Sequence, residues 1–319
     1  MGLRLSVRSQ AWYDRTRAVA GAMPGLIPVV KGNGYGFGRA TLMPIAAELS
    51  DTIAVGSVYE AADVPADRVA MVLTPHLGLL PDELRPNSIL TVGAFEHAQA
   101  LDANGWSGNV VIKLRSSMQR HGIVPNRLES LSKALATSRC ELVGYSLHLP
   151  LVGSQTDHVA EIEAWLPHLD TNLPLSLSHL DDVSLAGLRT DHPQRSFTIR
   201  SGTFLWHGDK SLLHLDADVL DVHAVHAGTR AGYRATIVPD NGHLALVAAG
   251  SAHGVHPLDD GRSPFHFGHR RLTLLEPPHM HTSMVFVDEH QACPSIGDRV
   301  DVQRPLTMTV VDELMWIDD

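Results

Sequence analysis

Short β-rich runs alternate with helical segments through the first two thirds of this chain, and this pattern constrains the fold most. Eight runs predict strands: Leu26 to Lys31, Ile53 to Val58, Val69 to Thr74, Ser88 to Val92, Asn109 to Leu114, Glu141 to His148, Pro174 to His179 and Ser196 to Arg200. Amphipathic segments such as Arg127 to Ala136 and His158 to Leu169 predict helices between them. Eight strand–helix units in about 200 residues predict a (β/α)8 barrel, whose chemistry lies at the carboxyl ends of the strands. The proline-rich segment between the third and fourth runs predicts a degraded helix there.

The pattern changes after Gly208 to apolar runs separated by turn signals. The runs are Val219 to Val225, Gly232 to Val238, Leu244 to Ala249, Met284 to Val287 and Arg299 to Val302. Asp240, Asn241 and Gly242 form a turn signal between two of them. The last third is therefore predicted to be an all-β domain.

Bulk composition restricts the class of protein. The 319 residues are 44% apolar without a run of eighteen apolar residues, and the N-terminus lacks the apolar core of a signal peptide. Cys140 and Cys293 make neither a disulfide framework nor a metal quartet, and the 20 histidines lack the spacing of a helical zinc motif, so no metal site is predicted. A net charge of −10 argues against nucleic-acid binding. We expect a cytoplasmic protein that acts on a small molecule.

One lysine has a distinctive place in the first predicted strand. The apolar run from Ile27 to Val30 ends on Lys31, which opens a loop with glycine at 32, 34, 36 and 38. Desolvation of a lysine at the end of a buried strand lowers its pKa and makes it a Schiff-base nucleophile, and the glycines let the backbone approach an anion. The alternative is an ordinary strand followed by a turn. Only four lysines occur in the chain, which favours the functional interpretation.

The segment Val-Val-Lys-Gly-Asn-Gly-Tyr-Gly-Phe-Gly, from Val29 to Gly38, resembles the pyridoxal-phosphate lysine motif of the alanine racemases, which are fold type III enzymes. The resemblance implies that Lys31 forms the internal aldimine and that Tyr35 binds the cofactor phosphate. Further motifs follow in the family's order along the chain. The family's architecture implies a barrel over residues 9–208 and a β domain over residues 209–319 that includes an N-terminal strand in residues 1–8.

Arg200 begins a second matching segment, Arg-Ser-Gly-Thr-Phe-Leu-Trp-His. In the family the arginine faces the pyridine nitrogen of the cofactor, and the backbone amides that follow, here those of Gly202 and Thr203, bind its phosphate. Because arginine is always charged, it keeps that nitrogen unprotonated and favours simple α-proton exchange.

Three weaker matches complete the cofactor side. Lys113 and Arg120 have the spacing of the family's lysine, often carbamylated, and of the arginine that it orients toward the phenolic oxygen and the substrate carboxylate. His148 matches the histidine that stacks beneath the pyridine ring, although a core histidine is the alternative. Ser178, followed by His179, falls where the family has a phosphate-binding pair.

The substrate side departs from the family. Where the family has Gly-Tyr-Ala-Asp-Gly with the second catalytic base, this chain has Gly-Ser-Ala-His-Gly, so that Ser251 replaces the tyrosine. Because serine is a poor base near neutral pH, His253 or His256 is the candidate replacement, with Ser251 itself the other. The segment from Glu276 to Met284 occupies the place of the family's Met-Asp substrate loop. Met280 can keep a backbone contact to the substrate carboxylate there, and His281 replaces the family's acidic residue.

These residues favour a PLP-dependent amino-acid racemase or epimerase that removes the α-proton from an external aldimine. Lys31 acts on one face, and His253 or Ser251 of a neighbouring subunit acts on the other. Loss of the tyrosine ring favours a substrate other than or larger than alanine, and the family implies a homodimer. The alternatives are a one-base lyase or decarboxylase and a noncatalytic PLP-binding protein. The substrate, its chirality and the carbamylation of Lys113 stay open.

Overall fold

The computed structural model describes residues 2–318, which form two compact units. The barrel unit comprises Arg15–Gly32 and Arg39–Trp206. The β unit comprises Asn33–Gly38 together with the described residues of Met1–Asp14 and His207–Asp319. The loop that follows Lys31 therefore groups with the β unit, although the lysine itself belongs to the barrel.

In chain order the elements are β1 (Leu3–Arg8), α1 (Ser9–Ala22), β2 (Leu26–Pro28), α2 (Arg39–Leu49), β3 (Thr52–Val55), β4 (Val69–Val72), β5 (Ile89–Val92), α3 (Phe95–Ala103), β6 (Asn109–Leu114), α4 (Pro125–Ala136), β7 (Glu141–Leu147), α5 (Gln155–Trp165), β8 (Leu175–Ser178), α6 (Asp182–Asp191), β9 (Phe197–Ser201), α7 (Thr203–His207), β10 (Leu213–Val225), β11 (Arg230–Ala231), β12 (Thr236–Ile237), β13 (Gly242–Val247), β14 (Phe265–Phe267), β15 (Arg270–Arg271), β16 (Thr273–Leu274), β17 (Ser283–Asp288), β18 (Arg299–Val302) and β19 (Glu313–Ile317). Short 3-10 turns lie between several of them.

The barrel unit contains one parallel sheet with the strand order β2-β9-β8-β7-β6-β5-β4-β3. A parallel bridge between Val29 and Ala54 joins the two ends of this order and closes the barrel. All eight predicted strands are present, each within a few residues of its predicted bounds, and the fold class is confirmed. No helix occurs between β4 and β5 within the described residues, as the proline-rich segment predicted.

Helix α4 shows why the segments between the strands become helical. Pro125 occupies its first turn, where a missing N–H removes no hydrogen bond. Leu128, Leu131 and Leu135 follow at helical spacing and are buried, with 3% or less of each residue exposed. One apolar face thus packs against the barrel strands, and the helix begins two residues before the predicted start at Arg127.

The β unit is built on a nine-stranded sheet, in which the path β15-β14-β18-β10-β13-β17-β16 is antiparallel. A register shift between Val219 and Asp221 divides β10, so that its first half pairs with β1 and β18 and its second half with β13. Strand β1 also pairs in parallel with β19. Inward side chains such as Val247, Phe265 and Val285 are fully buried and form the core.

The prediction of one continuous strand from Gly232 to Val238 is wrong. The structure has the short strands β11 and β12 with a turn between them. Gly232 has φ +77° and Ala235 has φ +49°, a left-handed conformation that an extended strand does not contain.

Separately, among the helices of residues 2–318, none has the length and apolar character needed to cross a bilayer.

Candidate active site

Lys31 lies three residues beyond Pro28, the last residue of the first barrel strand. The Val29 N–H donates to the Ser201 carbonyl oxygen (2.8 Å). The Val30 N–H donates to the Ala54 carbonyl oxygen (2.8 Å), so both neighbouring strands bind this backbone. Val30 is fully buried, whereas Lys31 is exposed. The barrel therefore fixes the chain up to the residue before Lys31 and presents the lysine at the carboxyl end of β2.

Positive charges surround the Lys31 amine. Although the residue as a whole is exposed, its amine is partly desolvated, and this desolvation is the main cause that lowers its pKa from the ordinary value of 10.5. The charge of Arg120 lowers the pKa further. Glu60 opposes these effects, and Arg200 adds a smaller lowering. A larger fraction of the amine is consequently neutral near physiological pH than in an isolated lysine, which is the form that acts as a nucleophile or base.

Lys113 lies inside the barrel on β6 and is only 5% exposed. Its Nζ atom is 3.4 Å from the hydroxyl of Ser146, which is its register partner on β7. Burial lowers the pKa of Lys113 to about 6, with Arg200, Arg120 and Lys31 contributing in that order. The amine is therefore mainly neutral at pH 7.

Arg200 is buried on β9 with 4% of the residue exposed. One terminal nitrogen donates to the Ser176 hydroxyl (2.6 Å), and the other donates to the Leu147 carbonyl oxygen (2.8 Å). Burial, with the charge of Arg120, lowers the pKa of Arg200 to about 9, so the guanidinium is still charged at neutral pH. Two anchors on β8 and β7 thus fix the orientation of a buried cation.

His148, Ser178 and His179 form a polar group next to Arg200 in the barrel unit. The Nδ1 atom of His148 lies 2.8 Å from the Ser178 hydroxyl, and the His148 and His179 rings are 4.7 Å apart. Burial lowers the pKa of His148 to about 2, aided by Arg200 and Lys113, so the imidazole is neutral. Ser178, a predicted phosphate ligand, thus has an imidazole partner in this structure.

Arg120, Gly202 and Thr203 lie in segments that follow the barrel strands. Arg120 is exposed, and its charge lowers the pKa of Lys31, Lys113 and Arg200. Gly202 and Thr203 lie at the start of α7, where backbone N–H groups have no acceptor within the helix. The barrel unit therefore brings together these three predicted residues and Lys31, Lys113, His148, Ser178 and Arg200.

Tyr35 belongs to the β unit. It is 6% exposed and has φ +56°, a left-handed conformation that is uncommon for a residue with a side chain. The Asn33 side-chain amide donates to the carbonyl oxygens of Leu306 (2.7 Å) and Thr309 (2.6 Å). These bonds fix the start of the short segment that contains the tyrosine.

The predicted second base, His253, lies in a 3-10 turn from Ser251 to His253 and is 6% exposed. Its Nδ1 atom accepts the Gly250 N–H (3.0 Å), and its Nε2 atom lies 3.1–3.2 Å from the two carboxylate oxygens of Asp312. Because Nδ1 is an acceptor, Nε2 carries the proton and donates to Asp312. Both nitrogens of the ring are therefore engaged in this structure.

Ser251, Met280 and His281 are more accessible than His253. The Ser251 N–H donates to the His279 carbonyl oxygen (2.7 Å), and the Ala252 N–H donates to the Met280 carbonyl oxygen (2.9 Å). Ser251 is half-buried, while Met280 and His281 are exposed, and the His281 ring packs 5.8 Å from the His253 ring. The two predicted substrate loops are thus hydrogen-bonded neighbours within the β unit.

Sequence reasoning missed Glu60, Asp312 and His207, which contact predicted site residues or the loops that carry them. Only Glu60 had a local signal, because Ser57 three residues earlier makes a capping box. Within residues 2–318, no three histidine, cysteine or acidic side chains are arranged to hold a metal ion.

A closed parallel barrel with a lysine at the end of its first strand, followed by a largely antiparallel β unit, defines a barrel protein with a lysine-centred site. The family model of the alanine racemase N-terminal domain matches residues 7–205, which is more than half of the chain. The chain therefore belongs to the alanine racemase family. No curated protein matches it.

Solved structures with this fold are distant in sequence. Alanine racemase from Bartonella henselae with covalently bound pyridoxal phosphate is 18% identical, with a TM-score of 0.74, and the match covers 99% of this chain and 100% of that one. The biosynthetic alanine racemase from Pseudomonas aeruginosa is 20% identical, with a TM-score of 0.71 and 99% coverage of both chains. The Bacillus anthracis enzyme with bound L-Ala-P is also 20% identical, with a TM-score of 0.71 and coverage of 94% and 85%. These likenesses show that the fold extends over nearly the whole chain.

Proposed function

We propose that this protein is a pyridoxal-phosphate-dependent racemase or epimerase of an amino acid or an amino-acid derivative. The observation that carries the proposal is the cationic group at the carboxyl ends of the barrel strands. Lys31, with a lowered pKa, lies there within the electrostatic influence of Arg120 and Arg200. A lysine in its neutral form can bind an aldehyde and can also accept a proton.

The residues of the barrel unit fit an anionic cofactor and an anionic substrate. Arg200 is a buried cation whose hydrogen-bond partners are a hydroxyl and a carbonyl oxygen, not a carboxylate. Burying a cation without an acid partner is unfavourable, and a nearby anion would compensate for it. A cofactor phosphate and a substrate carboxylate would supply such charge.

When bound, pyridoxal phosphate would supply an electron-withdrawing ring that acidifies the α-proton of an attached amino acid. Lys31 Nζ would hold the cofactor and move the proton on one face. Arg200 would keep the pyridine nitrogen unprotonated, and neutral His148 would pack beneath the ring. Arg120 would orient the substrate carboxylate, while Lys113 would orient Arg120.

The phosphate would bind to hydroxyl and backbone N–H groups. Tyr35, Ser178, Gly202 and Thr203 are the proposed ligands, of which the two last would use backbone groups at the start of α7. Phosphate binding at such positions uses N–H groups that have no acceptor within a helix. Ser178 can accept from His148 or donate to phosphate, since a hydroxyl is both donor and acceptor.

We assign the second face of the substrate to the loop from Gly250 to Gly254 of a partner subunit in a homodimer. Ser251 or His253 would move the proton there, and Met280 and His281 would contact the substrate. A serine in place of a tyrosine leaves room for a substrate larger than alanine. Cys140 and Cys293 are both free, which is consistent with a location in the cytoplasm.

A one-base lyase or decarboxylase is the second candidate, and the hydrogen bonds of His253 favour it. Both ring nitrogens are engaged, so proton transfer would require one of these bonds to open. A noncatalytic PLP-binding protein is the third possibility and predicts a cofactor spectrum without proton exchange.

The decisive experiment is NMR-detected exchange of the α-proton in D2O, with purified holoprotein and a panel of L- and D-amino acids and their derivatives. Exchange with inversion supports the racemase. Exchange with retention supports the one-base enzyme, and a cofactor spectrum without exchange across the panel supports the noncatalytic protein. Lys31→Ala is the control and should lose both exchange and covalent attachment of the cofactor.

A further inference from the structure

Glu60 joins two loops at the mouth of the barrel through backbone hydrogen bonds. Its Oε2 atom accepts the N–H groups of Gly56 (2.6 Å) and Ser57 (3.3 Å), which follow β3. Its Oε1 atom accepts the N–H of Gly32 (2.9 Å), the residue that directly follows Lys31. One carboxylate thus ties the lysine's loop to the end of a neighbouring strand.

The bond to Gly32 is separate from the local role of Glu60. Ser57 and Glu60 form a capping box for the 3-10 turn Val58–Asp63, and the bonds to Gly56 and Ser57 serve that turn. Gly32 lies 28 residues earlier in the chain and takes no part in the cap. A purely structural cap therefore accounts for one carboxylate oxygen and leaves the other unexplained.

Arg39 binds the same glycine from its other side. Its guanidinium donates to the Gly32 carbonyl oxygen (2.7 Å) and lies 3.9 Å from Glu60 Oε1. The N–H and the carbonyl of Gly32 are thus both held, and Gly32 has φ +60°, which glycine adopts without strain. The residue that follows Lys31 consequently has a fixed position.

Glu60 also lies close to the lysine stem. A Cβ atom placed on Gly56 would lie 2.8 Å from Glu60 Oε2 and 3.4 Å from the Lys31 Cβ, so the carboxylate and the lysine flank the same glycine. Arg120, Arg200 and Lys113 are the cations that interact with Lys31, and Glu60 is the acid among its electrostatic neighbours. Its negative charge raises the pKa of Lys31, whereas desolvation and the two arginines lower it.

We propose that Glu60 is a positioning residue that holds Lys31 at the mouth of the barrel through the Gly32 peptide. The inference rests on the proposed role of Lys31 in binding the cofactor. Glu60 adds a contact that sets the position of the Lys31 amine, and its negative charge offsets part of the positive charge around that amine.

Glu60→Gln tests this assignment. Glutamine retains one oxygen for the Gly56 cap but places an NH2 group against the Gly32 N–H, so the bond to the lysine loop is lost. Asp63→Asn is the matched control, because Asp63 lies on the same 3-10 turn and pairs with Arg39 (2.5 Å). If Glu60→Gln does not fold, Glu60→Asp keeps the negative charge and shortens the side chain, so that its carboxylate no longer spans Gly56 and Gly32.

Two measurements distinguish the effect of Glu60 on the position of Lys31 from the effect of its negative charge on the Lys31 amine. The first is the rate of covalent attachment of pyridoxal phosphate to the full-length apoprotein, measured at the high-pH plateau by absorbance and located by borohydride reduction and peptide mass. Glu60→Gln should lower this rate about tenfold, since hydrogen bonds to charged groups contribute on that scale. The second is the pH midpoint for acylation of Lys31 in the apoprotein, which should shift to lower pH when the negative charge is removed.

Asp63→Asn should leave both quantities within about twofold of the wild type, because the partly exposed ion pair between Asp63 and Arg39 contributes little free energy. A wild-type plateau rate and midpoint in Glu60→Gln would overturn the proposal and leave Glu60 as a cap only. If Glu60→Asp is used, an unchanged plateau rate overturns the proposal. Failure of the wild type to attach the cofactor would contradict the proposed function instead, while the acylation midpoint would still report on Glu60 and Lys31.

Discussion

The Nε2 atom of His207 lies 2.6 Å from the backbone carbonyl oxygen of Tyr35. Both residues are buried, and the His207 ring also packs against Tyr35 and stacks on Phe37. Burial lowers the pKa of His207, so the neutral ring donates one N–H to the carbonyl. The bond holds Tyr35 in a left-handed conformation, which costs about 1 kcal/mol for a residue with a side chain.

His207→Leu should lower the free energy of unfolding by about 2 kcal/mol, because it removes a short hydrogen bond to a buried carbonyl. It should also weaken binding of pyridoxal phosphate more than binding of pyridoxal, if Tyr35 binds the phosphate. Urea denaturation and fluorescence titration measure the two effects. His207→Gln, which keeps a donor near the Nε2 position, is the control and should recover part of both. Equal losses for the two ligands would argue against a role of Tyr35 at the phosphate.

Ser176 and Ser178 offer a matched pair in the barrel, since both are buried and have one short hydrogen bond each. Ser176 binds the charged Arg200, whereas Ser178 binds the neutral imidazole of His148. Ser176→Ala should therefore lower the free energy of unfolding by about 2 kcal/mol and Ser178→Ala by about 1 kcal/mol. Urea denaturation at pH 7 measures both. Equal losses would contradict a charged Arg200 in the folded protein.

Lys113→Met should stabilise the apoprotein at pH 7. The pKa of Lys113 falls from 10.5 to about 6 on folding, so between these values the unfolded chain binds one more proton than the folded chain. Wild-type stability therefore rises with pH in this window and is lost as the pH falls toward 6. The advantage of the methionine variant should shrink by about 1 kcal/mol per pH unit from pH 7 to pH 9.

Urea denaturation at several pH values measures this slope. Lys133→Met is the control, because the Lys133 side chain is 74% exposed and pairs with Glu129 on the surface of α4. Its effect should be small and nearly independent of pH. A similarly flat difference for Lys113→Met would show that Lys113 keeps its proton when buried.

His253 and His281 should differ in their effect on stability. His253→Leu removes the acceptor for the Gly250 N–H and the donor to Asp312, and it should lower the free energy of unfolding by about 2 kcal/mol. His281→Leu changes an exposed side chain and should have an effect below about 0.5 kcal/mol. Chemical denaturation tests both variants.

The same two variants test the second face of the substrate by their α-proton exchange. If His253 is the second base, His253→Leu should retain exchange but lose inversion, while His281→Leu keeps both. Loss of inversion only in His281→Leu would move the assignment to His281, whose ring is the exposed member of the pair.

The barrel could be predicted because its signals are local. Each strand is a short apolar run that is buried, and helix α4 shows its leucine spacing over about two turns. The placement of Lys31 at a strand end follows from the same run of residues. In the β unit, the run from Gly232 to Val238 was misleading, because backbone angles at Gly232 and Ala235 interrupt a sequence of strand-forming residues.

The sequence by itself determined the order of elements and the lysine that follows the first barrel strand, and it predicts that Ser251 takes the place of the family's tyrosine. Tertiary structure alone decided which distant groups meet: Glu60 with Gly32, His207 with Tyr35, and His253 with Asp312. Local periodicity specifies the exposed and buried faces of one element, because it reflects that element's own geometry. The partners of a buried polar group depend on how separate segments pack, since every such group must find a hydrogen bond once water is excluded.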